Sequence, residues 1–409
     1  MSRIIVGLDI GSSTIRTLVC EMLKNGKLNV ISVLKSSSDG LRKGMIDDLP
    51  AATRALSVVM SDLKQISKEA IKNIYLGVGA PNVRIQASRG IVAVSRADLE
   101  ITKDDILRAK EAAESIKLPA NRMIVHALTD EFVVDDISDI KDPLGMVGNR
   151  LEAKTLIIDA FAPAINNLAR CLEIAGGSFA GLIFNPIASS RAVLTKNQKD
   201  LGVILVDIGA GTTSFSVYQE GKLLHTGAFP AGSGHVTSDL ALGLKVPIVA
   251  AENIKFSFGN ALSKDVPLRE SVEMAKFDSN ARGQVSRRFV SEIIEARLAE
   301  IFEFIHTDLR HIGRSAQLPG GAVFVGAGAK IPGLVDLARQ ELKLPARIGI
   351  PDLSPFNIES SETSEMLEDP EFACSIGLVS WGADRMFGDI GARSSVFEKI
   401  SGLFKYFMP

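Results

Sequence analysis

The sequence predicts an α/β protein of two duplicated domains around a shared ligand cleft, with a small α+β insertion and a C-terminal amphipathic helix. An internal echo is the first reason. Ile4-Ile5-Val6-Gly7-Leu8-Asp9-Ile10-Gly11-Ser12-Ser13-Thr14 is matched far downstream by Val203-Ile204-Leu205-Val206-Asp207-Ile208-Gly209-Ala210-Gly211-Thr212-Thr213. Each run is aliphatic and β-branched, as a strand buried on both faces is, and each ends in turn chemistry. The second reason is a late strand, Ala322-Val323-Phe324-Val325, which runs into Gly326-Ala327-Gly328-Ala329-Lys330 and then a helix over Leu334–Leu342. Composition is the third: 46% hydrophobic but only 6% aromatic residues implies aliphatic cores, as in α/β proteins.

The turns carry the chemistry. Glycines at 11, 209, 211, 326 and 328 let the backbone approach a ligand closely, and successive N–H groups in such a turn cradle phosphate oxygens. Hydroxyls of Ser12, Ser13, Thr14, Thr212 and Thr213 add donors, and Asp9 and Asp207 at the strand ends suit a hydrated Mg²⁺. A lone Asp-x-Gly is also a common way to end a strand. Its repetition in matching context, with a third glycine turn, favours two clamps gripping one nucleoside triphosphate. The dinucleotide pattern G-x-G-x-x-G is never completed at these turns.

The remaining elements follow in order. After the first turn come further strands, a helix from Asp48 and Pro50 through the Ala52–Lys68 region, and a strand at Ile74–Gly79. A different unit begins near Val83, with an alternating segment over Gly90–Val94. Thr102 caps a helix whose first turn holds Asp104 and Asp105, acids that favour the positive end. Strands are expected at Met123–Ala127 and Phe132–Val134, then a turn at Asp142-Pro143-Leu144-Gly145 and a closing strand over Leu151–Phe161. A strand–helix rhythm resumes with a helix at Ala164–Gly176, a strand at Leu182–Phe184 and a helix over Ile187–Thr195. The second half holds a hairpin across Glu220-Gly221-Lys222 and a helix from His235 to Ala241. Residues 251–317 are read as a polar segment and a long helix, about Gln284 to His311, with a stripe at Ile293, Ile294, Leu298, Ile301, Phe302 and Ile305. Residues 353–371 read as loop, and a core helix runs from Cys374 to Met386.

Several classes are disfavoured. A formal net charge of −2 argues against a general nucleic-acid binder. Cys20, Cys171 and Cys374 are isolated and odd in number, which suits a reducing cytosol rather than a disulfide framework or zinc site. The five histidines lack ligand spacing. No signal peptide is expected before the first strand, and no apolar stretch approaches the roughly 18–20 residues of a membrane span.

Two duplicated domains with phosphate hairpins and a late glycine turn resemble the actin/sugar-kinase/DnaK-type ATPase superfamily. Within it the chain is most similar to the FtsA family of bacterial cell-division actin homologues. The supporting residues are Gly7-Leu8-Asp9-Ile10-Gly11, Leu201 to Gly209, Val236-Thr237-Ser238-Asp239-Leu240-Ala241 and Ile293-Ile294-Glu295-Ala296-Arg297. The resemblance implies an actin-like fold with ATP and Mg²⁺ between the large domains. Subdomain 1A would span 1–83 and 163–200 around an insertion, 1C, at 84–162; 2A would span 201–250 and 318–387 around 2B at 251–317. It implies filament formation through the insertion, and docking of the FtsZ C-terminal peptide on 2B, where Arg297 and Glu300 match the implicated face. Other division proteins are further expected partners. Exposed Arg and Glu at i, i+3 are otherwise simply solubilising. The family pattern assigns Asp9 and Asp207 to Mg²⁺ and water positioning. It assigns Gly11, Ser12, Ser13, Thr14, Gly209, Gly211, Thr212 and Thr213 to phosphates, and Gly326, Ala327, Gly328 and Lys330 to adenosine. Arg288 and Glu292 are candidates near base or ribose.

Beyond a 388–394 linker, residues 395–409 are expected to form a membrane foot. Ser395 and Glu398 make a capping box. Val396, Phe397, Ile400, Leu403, Phe404, Phe407 and Met408 then share one helical face, an arc of roughly 140° at about 100° per residue. A helix of about 14 residues is about 21 Å long, too short to cross a core of about 30 Å, but able to lie in the interface. A terminal helix packed on its own domain is the bland alternative.

Hydrolysis needs a group that positions or deprotonates water. Related chaperones and bacterial actins place a Glu where this chain has Asn185, before Pro186. An amide orients water but cannot take its proton, so a slow ATPase at most is expected, acting as a nucleotide-gated scaffold. The alternatives are a PilM-like pilus-assembly ATP-binding protein, in which the foot is not expected, and a small-molecule kinase, which would need a catalytic Asp.

Overall fold

The computed structural model describes residues 4–279 and 281–388. Contacts divide the described residues into two units, one formed by residues 4–81 and 167–384, the other by 82–166 with 385–388. The predicted tail residues Val396, Phe397, Ile400, Leu403, Phe404, Phe407 and Met408 lie outside the described residues.

The first unit begins with β1 (Ile4–Ile10), β2 (Thr14–Met22) and β3 (Leu28–Ser37), a small hairpin of β4 (Leu41–Arg42) and β5 (Met45–Ile46), α1 (Leu49–Ile66) and β6 (Ile74–Val78). Asp48 caps α1 by accepting from Ala51 N at 2.9 Å, and Pro50 sits in the first turn, where no N–H is needed. The chain then leaves for the second unit. This holds β7 (Arg84–Ala93), α2 (Lys103–Glu114), β8 (Arg122–Val134), β9 (Ile137–Ile140) and β10 (Arg150–Phe161), and α3 (Ala162–Ile174) leads out of it. Its sheet is antiparallel in the order β7-β10-β8-β9. Thr102 and Asp105 form a reciprocal capping box at the start of α2. Val94, Ile101, Ala109, Phe132, Leu151 and Ala153 form a small core between α2 and the sheet. The two strands expected around Met123–Ala127 and Phe132–Val134 are one continuous strand, because Leu128, Thr129 and Glu131 stay paired with β10 across a register shift at Asp130.

Back in the first unit follow β11 (Phe179–Phe184), α4 (Asn185–Val193), α5 (Lys196–Leu201), β12 (Val203–Ile208), β13 (Thr213–Gln219), β14 (Lys222–Phe229), α6 (Ser233–Leu244) and α7 (Ile248–Phe258). After β15 (Ser271–Glu273) and β16 (Gln284–Ser286) come α8 (Arg287–His311), β17 (Ala322–Val325), α9 (Leu334–Leu342), β18 (Ala346–Ile348), β19 (Phe356–Asn357), α10 (Ser361–Glu368) and α11 (Ala373–Gly388). One sheet runs β11-β6-β1-β2-β3-β19 and the other β14-β13-β12-β17-β18. In both, the strand ending in Asp-x-Gly is central, antiparallel to its successor and parallel to its other neighbour. Central parallel pairing explains the uninterrupted apolar runs. Val290, Ile294, Leu298, Ile301, Phe302 and Ile305 of α8 are buried against the second sheet, with Phe302 edge-on to Phe324 at 5.7 Å between ring centroids.

Three sequence expectations change. Residues 353–371 are not all loop: α10 forms behind Ser360, with only Leu367 of the helix buried. The segment after 251 opens with a helix, α7, whose Val249 and Phe256 are exposed. Gln284–Ser286 is a strand, so α8 starts at Arg287. Among the described residues no helix is long and apolar enough to cross a membrane.

Candidate functional site

The Asp9 and Asp207 turns are built alike. Gly11 N donates to Thr14 O at 3.1 Å, and Gly209 N to Thr212 O at 2.9 Å. Across each strand pair Asp9 faces Arg16, and Asp207 faces Ser214. The turns leave no room for side chains: a Cβ on Gly211 would lie 2.5 Å from Ser12 Oγ. Gly326, at φ +84°, would bring a Cβ within 2.5 Å of Asp207 Oδ1.

Between them lies a cleft of about 360 Å³. Of the residues expected there, Asp9, Gly11, Ser12, Ser13, Thr14, Asn185, Asp207, Gly209, Gly211, Thr212, Gly326, Ala327 and Lys330 line it. Thr213, Gly328, Arg288 and Glu292 do not. Thr213 opens β13 with its side chain fully buried, and Gly328 is buried against Ile208. Arg288 and Glu292 face each other on α8 at 3.7 Å. The structure adds Arg16, Lys35, Ser233, Glu252, Lys255, Phe256 and Glu371 to the walls. Arg16 is one β-hairpin step from Asp9 and could have been found from that pairing. Glu252 and Lys255 carry only an i, i+3 signal that usually marks a solvated helix face.

Local chemistry fixes each group. Asn185 opens α4 directly after β11, and its Nδ2 donates to Asp9 Oδ1 at 3.1 Å. Its Oδ1 has no partner among the described residues. Burial raises the Asp9 carboxyl above its usual range, with Arg16 and Asn185 opposing. Asp207 is pushed up to about 7, by burial first and then by the charge of Asp9; Ser189 Oγ donates to its Oδ2 at 3.1 Å in opposition. Lys255 is buried and donates to Glu252 Oε2 at 2.7 Å and Thr237 Oγ1 at 2.8 Å. The N-terminus of α6 leans on the second turn, Ser233 N donating to Gly209 O at 2.9 Å and Gly234 N to Ala210 O at 2.8 Å. Burial would raise Glu371, but contacts with Lys35, Arg16 and Lys330 outweigh it and hold the carboxyl down at about 2.

The charged walls consist of Arg16, Lys35, Lys255 and Lys330 against Asp9, Asp207, Glu252 and Glu371, so they carry no net formal charge. Among the described residues no group of three His, Cys, Asp or Glu side chains could hold a metal ion alone. Asp9 and Asp207 form a two-carboxylate pair, the set that suits Mg²⁺ completed by phosphate oxygens and water. The backbone cradle and the unpartnered Asn185 Oδ1 fit the same occupant. Away from the cleft, Arg297 of α8 donates to Asp239 at 2.5 and 3.0 Å and also pairs with Glu300.

The family model described as Cell division protein FtsA matches residues 204–377, and that of the SHS2 domain inserted in FTSA matches 81–159. Cell division protein FtsA of Borreliella burgdorferi is 36% identical over 381 residues, 93% of this chain and 91% of the relative. That of Pseudomonas aeruginosa is 31% identical over 383 residues, 94% and 90% respectively. The chain belongs to the FtsA family of cell-division proteins. The FtsA assignment extends to Bacillus subtilis, at 32% identity over 93% of this chain and 83% of the relative. Among solved structures, the PilM–PilN type IV pilus biogenesis complex matches with a TM-score of 0.64 at 19% identity, over 93% of this chain and 98% of that one. MreB 5 of Spiroplasma citri bound to AMPPNP matches with a TM-score of 0.56 at 12% identity, over 95% and 98%. These likenesses establish the actin-like fold, and the second unit is the SHS2 insertion of an FtsA.

Proposed function

We propose that this FtsA-family chain binds ATP with Mg²⁺ in the cleft, polymerises on the inner face of the cytoplasmic membrane, and tethers FtsZ filaments there at the division septum. The observation that carries the nucleotide reading is the pair of glycine turns with their carboxylates around one cleft. Walls without net charge favour a polyanion only once a divalent cation joins Asp9 and Asp207. Bound there, Mg²⁺ would neutralise phosphate charge. Ser12, Ser13, Thr14, Gly11, Gly209, Gly211 and Thr212 would hold phosphates, and Gly326, Ala327 and Lys330 would border adenosine. Glu252, Lys255 and Phe256, which line the cleft, join Arg288 and Glu292 as candidates for base and ribose. Asn185 would orient water without accepting its proton, so turnover is slow.

The membrane part rests on the sequence pattern of Val396 to Met408. Lys399 and Lys405 against Glu398 give little attraction to anionic lipid, so one foot binds weakly and linked feet bind by avidity. For the FtsZ peptide, the face around Arg297 and Glu300 offers a guanidinium that bridges two carboxylates, Asp239 and Glu300. The test is flotation with liposomes, ATP and Mg²⁺, comparing the full chain with one ending at Arg393. Flotation of the full chain alone supports the tether; both remaining in the lower fraction overturns it.

A further inference from the structure

Glu371 meets three cations at once. Its Oε2 accepts from Arg16 Nε at 3.1 Å, Arg16 Nη2 at 2.6 Å and Lys35 Nζ at 2.8 Å, and its Oε1 from Lys330 Nζ at 3.0 Å. These cations come from β2, β3 and the glycine turn after β17. The carboxylate side chain is 8% accessible, so water competes little for it. Its position is fixed from both sides: Glu371 N donates to Asp369 Oδ1 at 2.9 Å, and Gly326 N to Pro370 O at 3.0 Å. Asp369 takes Lys330 as well, at 2.5 Å.

Three of the four wall cations are thus already satisfied by an internal anion, and the fourth, Lys255, is tied to Glu252. A metal-free polyphosphate entering the cleft would face Asp9 and Asp207 while competing with Glu371 for Arg16, Lys35 and Lys330. A divalent cation on the two aspartates offsets their charge and is itself a phosphate ligand, so a metal-complexed polyphosphate depends less on Arg16, Lys35 and Lys330 than a free one does. We propose that Glu371 is a specificity-determining residue: by occupying the cleft cations Arg16, Lys35 and Lys330 it excludes free polyanions and admits only metal-complexed nucleotide. The inference rests on the ATP reading of the cleft.

Calorimetric titration of ATP tests it, in excess Mg²⁺ and in EDTA, on the full chain, Glu371→Gln and Glu371→Asp. Glu371→Gln is expected to bind metal-free ATP about tenfold more tightly, the scale of one partly screened charge, with a smaller change for Mg·ATP. The preference for the complex therefore narrows, whereas Glu371→Asp retains it. An unchanged preference in Glu371→Gln, or a parallel loss of both affinities, overturns the proposal and leaves Glu371 as a support for Arg16. Failure of the unsubstituted chain to bind Mg·ATP overturns the nucleotide reading itself, before any variant is compared. The unsubstituted chain gives a second measurement independent of variant folding. It should bind inorganic tripolyphosphate with Mg²⁺ and reject it in EDTA; equal binding in both overturns the selectivity.

Discussion

Asn185 donates to Asp9 and Ser189 to Asp207, and the two carboxyls are close enough for the charge of Asp9 to raise Asp207. The sign of the pH effect follows from the raised carboxyl of Asp207. Its folded value of about 7 exceeds the ordinary 3.8, so the folded protein prefers the protonated form. That contribution is fully present below about pH 3.8 and is lost as pH rises through about 7. Stability of the ligand-free protein should therefore decline across this window through Asp207, with Asp9 acting in the same direction. Occupation by Mg·ATP near pH 7 should release protons, measurable by titration in buffers of different ionisation enthalpy; Asp207→Asn should abolish most of the release. Asn185→Ala removes one hydrogen bond to a carboxylate, worth about 1.5–3 kcal/mol, and is expected to slow turnover without abolishing it. Loss of all hydrolysis in that variant, read by phosphate release, would give Asn185 a larger role. At this scale Asp9, Asp207 and the glycines were legible because strand and turn chemistry is local. Glu371 was not, because its partner Arg16 is 355 positions away in the chain.

Among the elements, long periodic segments read well and short polar ones did not. The helix over Leu334–Leu342 and the stripe of α8 follow directly from apolar spacing. α10 was hidden because Ser361–Glu368 is polar at all but two adjacent positions, Met366 and Leu367. β8 reads as two strands in the sequence because Thr129, Asp130 and Glu131 interrupt its apolar residues, whereas pairing of Thr129 and Glu131 with β10 carries the strand through. The buried stripe also sets a stability expectation. Phe302→Ala should cost about 3–5 kcal/mol by cavity formation next to Phe324, seen as a lower denaturation midpoint. Reversing charge on the same helix acts differently. Arg297→Glu places a carboxylate against Asp239 and Glu300 on a partly exposed face. It should weaken binding of the FtsZ C-terminal peptide more than tenfold in fluorescence anisotropy, while Mg·ATP affinity stays the same.

For the whole molecule, the proposed membrane foot at residues 395–409 predicts that attachment depends on assembly. A variant that stays monomeric should float poorly with liposomes even with residues 395–409 intact, and artificial dimerisation should restore flotation. The duplicated architecture was legible from the start, since the two Asp-x-Gly strands sit at the same place in two sheets. The face-to-face arrangement of their turns has a further consequence. Two identical turns would accept a ligand equally well in either direction. Here the residue opposite the first aspartate is Arg16 and the residue opposite the second is Ser214. A guanidinium held by Glu371 on one side and a hydroxyl on the other make the two turns unequal, so an elongated molecule bearing phosphates at one end should favour one orientation.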